Sequence, residues 1–430
     1  MSDSAQVVPL NSETPIVQPQ GKEGCLRKTC CVKLSLPVWA LYVTLAVLCS
    51  IFVVWVISQK NGQKNGPQAL RGSTTPPAPI LPAPISVLAA QKWYGQDLGG
   101  EEKFKAANIQ LTTSDDIADE EVKDALLNLG PAVSSEALVK LDAFIKEKQI
   151  DLVTFGMAEW RIEPMVQLKA KGWPLSVLMT SQGMENEADL VRVVDKEHFQ
   201  QTLKETGLED YTIPNYDPDS LLSCNQMSNT DTPDAVPDRC TLNEAGRSAV
   251  SYPIMVKPAN GMGGAHKEKL YKKVDSEEQL LDFFNRPIEY GTGSYTFLNP
   301  SDFTLQEWVM SKYEDSFHFV YSDDHGGFLQ MKITRDEYNT ENAVAHHKPE
   351  RKRSTLEHDS IPPAMIANFE KLLRKVHYRG LGCFDIKYKK SDLDKPMVME
   401  MNPRLCASMS FFDDYGAWFR TWAGLYLVGR

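Results

Sequence analysis

The chain has 430 residues, of which 42% are hydrophobic, so two or three domains with a sizeable core are expected. Its formal net charge of −11 argues against general binding to nucleic acid, which requires a basic face. The 8 cysteines show neither a CxxC pair nor metal-ligand spacing, so no zinc site and no disulfide framework is predicted.

The N-terminal region predicts a membrane anchor. Residues 1–33 are polar without a hydrophobic period, which indicates a disordered tail. Residues 34–59 contain no charged residue and are long enough to cross a hydrocarbon core of about 30 Å as a single transmembrane helix. Trp39, Tyr42 and Trp55 lie near the two ends of this span, where interfacial aromatic residues are expected. A cleaved signal peptide, the alternative, would have a shorter apolar stretch nearer the N-terminus.

The sidedness of this anchor is open. The slight excess of lysine and arginine before the span favours a cytosolic N-terminus, whereas the lack of an N-x-Ser/Thr acceptor after it favours the opposite. Cys25, Cys30 and Cys31 just before the span are candidates for palmitoylation, with unmodified thiols as the alternative. Residues 60–87 are rich in proline and are predicted to form an extended linker.

Residues 88–194 predict a small parallel α/β domain, because helix-like and strand-like segments alternate. The helical segments are 120–129, 135–148 and 162–171, and the strand-like segments are 150–155 and 173–179.

Residues 195–430 predict an α+β domain with a largely antiparallel sheet. A helix from Asp195 to Gly207 comes first, followed by a strand at 210–214 and a polar stretch, 215–242, that indicates a surface insertion. Cys224 and Cys240 bracket this stretch; they would pair in a lumenal domain and remain free thiols in a cytosolic one. Further strands are predicted at 303–309, 317–321, 328–334, 383–388 and 397–401, and helices at 363–376 and 415–427.

A strand followed by a glycine-rich loop suggests a phosphate site. The apolar run 254–256 ends at Lys257, and the loop after it contains Gly261, Gly263 and Gly264. Glycines let successive backbone N–H groups approach an anion, and a lysine can reach the same phosphates as a point charge. The loop has neither the Walker pattern nor the dinucleotide fingerprint, so an ordinary strand and turn is the alternative for this stretch alone.

Two strands near the C-terminus suggest a metal site. Asp385 lies on one predicted strand, and Glu400 and Asn402 lie two residues apart on the next, so both of the latter project from one face. Two carboxylates and an amide oxygen suit Mg²⁺ (or Mn²⁺) held together with nucleotide phosphates. Arg404 is placed to clamp a phosphoryl group or a carboxylate. Polar residues on a solvent face are the alternative.

These segments together resemble the ATP-grasp superfamily. The resemblance rests on the order of Asp195-Lys196, YPIMVKPANGMGG, QEWV, GCFDIKY and MEMNPR, and the last segment is most similar to the carbamoyl-phosphate-synthetase-like branch. It covers about residues 150–430 and implies a two-lobed ATP-grasp domain over 195–430. The resemblance implies that Lys196 and Lys257 contact the phosphates of ATP and that a lid over them is formed by Gly261, Gly263 and Gly264. It implies that Glu307 and Val309 face adenine and that Glu314 (or Asp315) binds the ribose. It further implies that Mg²⁺ is bound by Asp385, Glu400 and Asn402 and that Arg404 stabilises an acyl phosphate.

The resemblance implies an ATP- and Mg²⁺-dependent ligase that joins a small-molecule carboxylate to an amine through an acyl phosphate. Residues 34–59 would tether it to a lipid bilayer as a single-pass membrane protein. The residues agree with this activity, because phosphoryl transfer requires positioning and charge neutralisation more than a protein nucleophile. A catalytically limited ATP-binding sensor or scaffold, and a phosphotransferase acting on a non-carboxylate acceptor, are the alternatives.

Overall fold

The fold is described from a computed structural model for residues 84–90, 101–154, 162–172, 186–225, 229–230, 234–236, 238–259, 270–289, 295–343 and 349–427. All of these residues belong to one unit of the chain, Thr74–Arg430. The predicted tail (1–33) and the predicted transmembrane helix (34–59) lie outside the described residues. Within the described ranges, no helix has both the length and the apolar composition that a bilayer crossing requires.

A three-stranded parallel sheet in the order β2-β1-β3 confirms the predicted parallel α/β region. Asp119 and Ser134 begin two of its helices by accepting hydrogen bonds from backbone N–H groups of the first turn. The strands are β1 (Ile85–Ala89), β2 (Ile109–Thr113) and β3 (Leu152–Thr154), and the helices are α1 (Glu101–Ala106), α2 (Glu120–Leu127), α3 (Ser135–Glu147) and α4 (Ile162–Ala170).

The predicted linker is too long at its C-terminal end. Residues 85–87, the last three of the predicted linker, form the first part of β1, and Ile85 and Val87 are buried between β2 and β3. The proline-rich composition that marked the linker ends at Pro84, so composition misses the apolar strand that follows. The predicted strand 173–179 lies outside the described residues.

The next region is built around a four-stranded antiparallel sheet in the order β4-β12-β8-β9. Two-stranded and three-stranded sheets, β5-β7 and β10-β11-β6, accompany it. The elements are α5 (Glu187–Val194), α6 (Lys196–Glu205), β4 (Asn215–Tyr216), α7 (Pro218–Leu221), β5 (Leu222–Cys224), β6 (Asn229–Thr230), β7 (Cys240–Leu242), α8 (Glu244–Ala249), β8 (Ile254–Pro258), β9 (Lys272–Val274), α9 (Glu277–Asn285), β10 (Ile288–Glu289), β11 (Tyr295–Thr296) and β12 (Phe303–Glu307).

Two predictions for this region are wrong. The strand expected at 210–214 is absent, because Tyr211 and Thr212 donate their N–H groups backward into a 3₁₀ turn and the chain pairs only from Asn215 onward. The stretch 215–242 is not wholly a surface insertion. Arg239 is buried and donates to the carbonyl oxygens of Phe284 and Leu298 at 2.7 and 3.2 Å, which ties the stretch to the core.

A five-stranded antiparallel sheet in the order β15-β14-β13-β16-β17 confirms the predicted antiparallel region. The two faces of this sheet pack in different hydrophobic cores. Phe317 and Phe319 of its central strand pack with the helix Pro363–Lys375, whereas Val320 packs with the helix Tyr415–Leu427 and with β1. The elements are β13 (Tyr313–Ser322), β14 (Gly327–Tyr338), β15 (Arg351–Glu357), α10 (Pro363–Lys375), β16 (Arg379–Tyr388), β17 (Pro396–Asn402) and α11 (Tyr415–Leu427).

Two disulfides join cysteines that the sequence did not assign to a framework. Cys224 pairs with Cys240 across β5 and β7, which corresponds to one of the two alternatives left open for that pair. Cys383 of β16 pairs with Cys406, which follows β17, and this bond was not predicted. Sequence spacing does not reveal it, because neighbouring strands rather than a short motif bring the two sulfurs together.

Candidate functional site

A cavity of about 260 Å³ is lined by side chains from both the four-stranded and the five-stranded sheet. Six residues singled out from the sequence line it: Lys257, Glu307, Val309, Glu314, Asp385 and Glu400. Lys196, Asn402 and Arg404 lie next to these residues through the contacts given below. The loop glycines Gly261, Gly263 and Gly264 lie outside the described residues.

Two buried lysines stand on one side of the site. Lys196 is the first residue of α6, whose N-terminal cap is Asp195, and its Nζ lies 3.6 Å from Glu400 Oε2. Lys257 on β8 is 6% exposed and donates to Gln306 Oε1 at 2.8 Å. Burial, with the nearby charge of Lys196 adding to it, lowers the pKa of Lys257 to about 7, although Glu400 opposes the change. An anion bound here would relieve this unfavourable burial of positive charge.

A chain of amides links the elements that carry the two lysines. Gln306, the partner of Lys257, donates to Asn215 Oδ1 at 2.7 Å, and Asn215 donates to the carbonyl oxygen of Lys196 at 3.2 Å. The sequence did not single out Asn215. Its position follows from the pairing of β4 with β12, which sets Asn215 opposite Gln306.

The two predicted acidic ligands face each other across neighbouring strands. Asp385 on β16 pairs directly with Glu400 on β17, and Asn402 donates to Asp385 Oδ2 at 2.9 Å. Ser316 of β13 donates to the other oxygen of Asp385 at 2.8 Å, and Arg404 donates to Asn402 Oδ1 at 3.0 Å. The predicted convergence of these side chains is therefore observed.

The electrostatics of this group fit a bound cation. Burial, together with the negative charges of Glu400 and Glu314, raises the pKa of Asp385 to about 7. Burial also opposes ionisation of Glu400, but Lys196 and Lys257 outweigh it, so the pKa of Glu400 is lowered. Crowded carboxylates of this kind offer the hard oxygen donors that Mg²⁺ or Mn²⁺ prefers, and a divalent cation would offset their mutual repulsion.

The end of β12 and the connection after it form part of the cavity wall. The backbone N–H groups of Glu307 and Trp308 donate to the carbonyl oxygens of Pro214 and Pro253, which anchors the connection to two neighbouring segments. Val309 is buried and packs with Ile213, Met397 and Met399. This gives the cavity an apolar wall beside polar backbone, which suits a planar base.

The structure separates Glu314 from Asp315, because only Glu314 lines the cavity. Asp315 is 0% exposed and accepts two hydrogen bonds from Arg335, at 2.8 and 2.7 Å, so it is committed to an ion pair outside the cavity lining. Glu314 lines the cavity, because successive residues of β13 point to opposite faces. Burial raises the pKa of Glu314, and Lys387 opposes this rise.

Sequence reasoning missed Lys387 and Trp308 as parts of the site. Lys387 lines the cavity and its Nζ lies 4.4 Å from the centre of the Trp308 ring. A signal existed for Lys387, because it lies two residues after Asp385 on the same strand. Trp308 belongs to the QEWV segment, but nothing in the sequence of that segment distinguishes a residue that lines a cavity from one buried in a core.

Comparison with known proteins finds similarity in structure but not in sequence. No family model and no curated protein matches the sequence. The chain is similar to an L-amino acid ligase from Bacillus licheniformis, with a TM-score of 0.44 and 11% identity, over 79% of this chain and 75% of that one. It is also similar to the ADP complex of N5-carboxyaminoimidazole synthetase from Staphylococcus aureus, with a TM-score of 0.47 and 11% identity, over 82% and 80% of the two chains.

A third similar structure is a D-alanine–D-alanine ligase from Bacillus anthracis, with a TM-score of 0.41 and 14% identity, over 80% of this chain and 97% of that one.

Proposed function

We propose that this protein is an ATP-dependent ligase that joins a carboxylate to an amine through an acyl phosphate, with Mg²⁺ or Mn²⁺ as the metal. One observation carries the proposal: buried lysines from one sheet region approach a carboxylate pair from another, with Lys196 Nζ 3.6 Å from Glu400 Oε2. Opposed clusters of this kind suit a metal–triphosphate complex, whose phosphates need cations on one side and whose metal needs carboxylates on the other.

The roles of the residues follow from their charges. Lys196 and Lys257 neutralise phosphate oxygens of ATP, and the amide chain through Gln306 keeps the two lysines in register. Asp385, Glu400 and Asn402 would hold the cation, which would supply charge neutralisation to the phosphates. Val309 packs against the base, and Glu314 accepts hydrogen bonds from the ribose.

Two displacements complete the reaction. In the first, an oxygen of the substrate carboxylate bonds to the γ-phosphorus, the bond to the bridging oxygen breaks, and ADP leaves. In the second, the amine nitrogen bonds to the carbonyl carbon, inorganic phosphate leaves, and the amine proton passes to solvent. Arg404 supports both steps, because its guanidinium can pair with the charged oxygens of the substrate carboxylate before transfer and with the phosphoryl oxygens of the acyl phosphate after it.

We also propose that residues 34–59 tether the enzyme to a membrane and that the described part lies on the lumenal or outer side. Disulfides persist in oxidising compartments, and the Cys224–Cys240 and Cys383–Cys406 bonds therefore favour that side. Protease protection of membrane vesicles tests the topology: the described part should be degraded only after the membrane is permeabilised. The vesicles must be sealed, with the lumenal or outer side of the membrane facing their interior. Degradation of the described part in such vesicles would contradict the proposed topology.

The activity is tested with the full chain in detergent, with ATP, Mg²⁺ and pairs of carboxylates and amines. The expected result is release of ADP and phosphate that depends on both substrates, and transfer of ¹⁸O from a labelled carboxylate into the phosphate. Glu400→Gln should abolish turnover, whereas the exposed control Glu209→Gln should not. Thermal stabilisation by ATP without ADP release would indicate a sensor or scaffold instead. ADP release with a stable phosphorylated product and no amide would indicate a phosphotransferase.

A further inference from the structure

Lys387 is a buried cation that the proposed chemistry does not use. It lies on β16, is 5% exposed, and stands directly opposite Glu314 in the pairing of β13 with β16. Its Nζ lies 3.9 Å from Glu314 Oε2 and 3.4 Å from the carbonyl oxygen of Ala343. A buried ammonium group is costly unless it is paired, so its contacts indicate what it stabilises.

Lys387 contacts two other side chains that line the cavity. One is Glu314, and the other is Trp308, whose ring centre lies 4.4 Å from Nζ. Trp308 is itself held at its Nε1 by Asn342 Oδ1 at 3.3 Å, so the indole is fixed from two sides. At 3.9 Å the ammonium attracts the Glu314 carboxylate without donating a normal hydrogen bond to it. The attraction therefore directs the carboxylate without occupying an acceptor oxygen.

We propose that Lys387 is a positioning residue that orients Glu314 toward the ribose hydroxyls and so makes the site select ribonucleotides over deoxyribonucleotides. This inference rests on the proposed function, because it requires an adenine nucleotide in the cavity. A vicinal diol donates two hydrogen bonds, and a fixed carboxylate with two free acceptor directions accepts both. A carboxylate without its neighbouring cation would turn among several rotamers and lose this preference.

The test measures binding of ADP, 2′-deoxy-ADP and 3′-deoxy-ADP to the full chain with Mg²⁺ by calorimetry. The unmodified protein should bind ADP at least about tenfold more tightly than either deoxy analogue, as expected for hydrogen bonds to a charged acceptor. Lys387→Met, which keeps the length of the side chain, should reduce that preference to about twofold or less. Lys387→Arg should retain most of it.

Matched variants separate positioning from simple stability. Lys273→Met removes another cation near the Trp308 ring, 5.7 Å from its centre, and should leave the preference for ADP intact. Glu314→Gln should lose the preference, and the double variant with Lys387→Met should lose no more than either single variant, because both changes act on one interaction.

Four outcomes would overturn the inference. One is an unchanged preference in Lys387→Met, even with a lowered melting temperature, since that result shows a purely structural role. Another is equal affinity of the unmodified protein for ADP and the deoxy analogues. If Lys387→Met does not fold, the other two variants are compared. A preference for ADP that is retained in Glu314→Gln overturns the inference. A preference that is lost in Glu314→Gln but retained in Lys387→Arg supports it. Failure to bind any adenine nucleotide would instead overturn the proposed function, and this inference with it.

Discussion

Nucleotide binding should draw a proton onto Lys257. In the free protein the pKa of this residue is lowered to about 7 by burial and by the charges of Lys196 and Lys387, against the opposing charges of Glu400 and Asp385. At pH 8 only about one-tenth of the molecules would then carry the ammonium form. Phosphates placed beside it return the pKa toward its ordinary value, so binding takes up about 0.9 proton at pH 8 and about 0.1 at pH 6.

The same shift sets the direction of the pH dependence. Below pH 7 Lys257 is charged in both the folded and unfolded protein, so the cost of burying its charge is fully present. That cost is relieved as the pH rises from about 7 toward 10.5, where the unfolded residue also becomes neutral. Nucleotide affinity has the opposite trend: the dissociation constant should rise up to about tenfold per pH unit above 7.

Calorimetry in two buffers with different heats of ionisation measures the proton count directly. The titration uses ADP with EDTA at pH 8, so that no cation engages Asp385 and the terminal phosphate is already ionised. Lys257→Met should abolish the uptake, whereas Asp385→Asn should preserve it, which separates the two groups whose pKa values lie near 7. Uptake below about 0.3 proton, or uptake that persists in Lys257→Met, would refute the assignment of Lys257 to the phosphates.

Three further predictions follow from the same contacts. Asp315→Asn should lower the free energy of unfolding by about 3 kcal/mol, because it removes a fully buried carboxylate from the partly buried Arg335. Asp323→Asn, at an exposed pair with Arg374, should cost less than about 1 kcal/mol, and urea unfolding measures both. Gln306→Leu should raise the KM for ATP about tenfold by releasing the ammonium of Lys257, and an unchanged KM in steady-state kinetics would contradict the role of the amide chain. The double variant Cys383→Ser, Cys406→Ser should have a lower kcat even at temperatures where it remains folded, since this bond anchors the segment that carries Arg404. An unchanged kcat would show that the segment keeps its position without the disulfide.

Much of the candidate site was readable from short patterns. Glu400 and Asn402 share a face because a strand alternates with a period of two, and Asp385 on the preceding strand pairs with Glu400 and brings a third oxygen-bearing side chain. Lys257 was readable because it ends an apolar strand immediately before a glycine-rich loop. Pairing between distant segments was not readable in this way: β4 meets β12 across about 90 residues, and that contact places Asn215 beside Gln306.

The sequence by itself determined the local elements and the residue types that could carry the chemistry, because apolar periodicity and ligand spacing are properties of a few neighbouring residues. Only the tertiary structure showed that Glu314 lines the cavity whereas Asp315 pairs with Arg335, since both belong to one strand and neighbouring residues of a strand point to opposite faces. It also revealed the position of Lys387 in the cavity wall, where its ammonium group lies near Glu314 and Trp308 of other segments. The physical reason is that charge and burial at a cavity are set by neighbours in space, and those neighbours are distant in the chain.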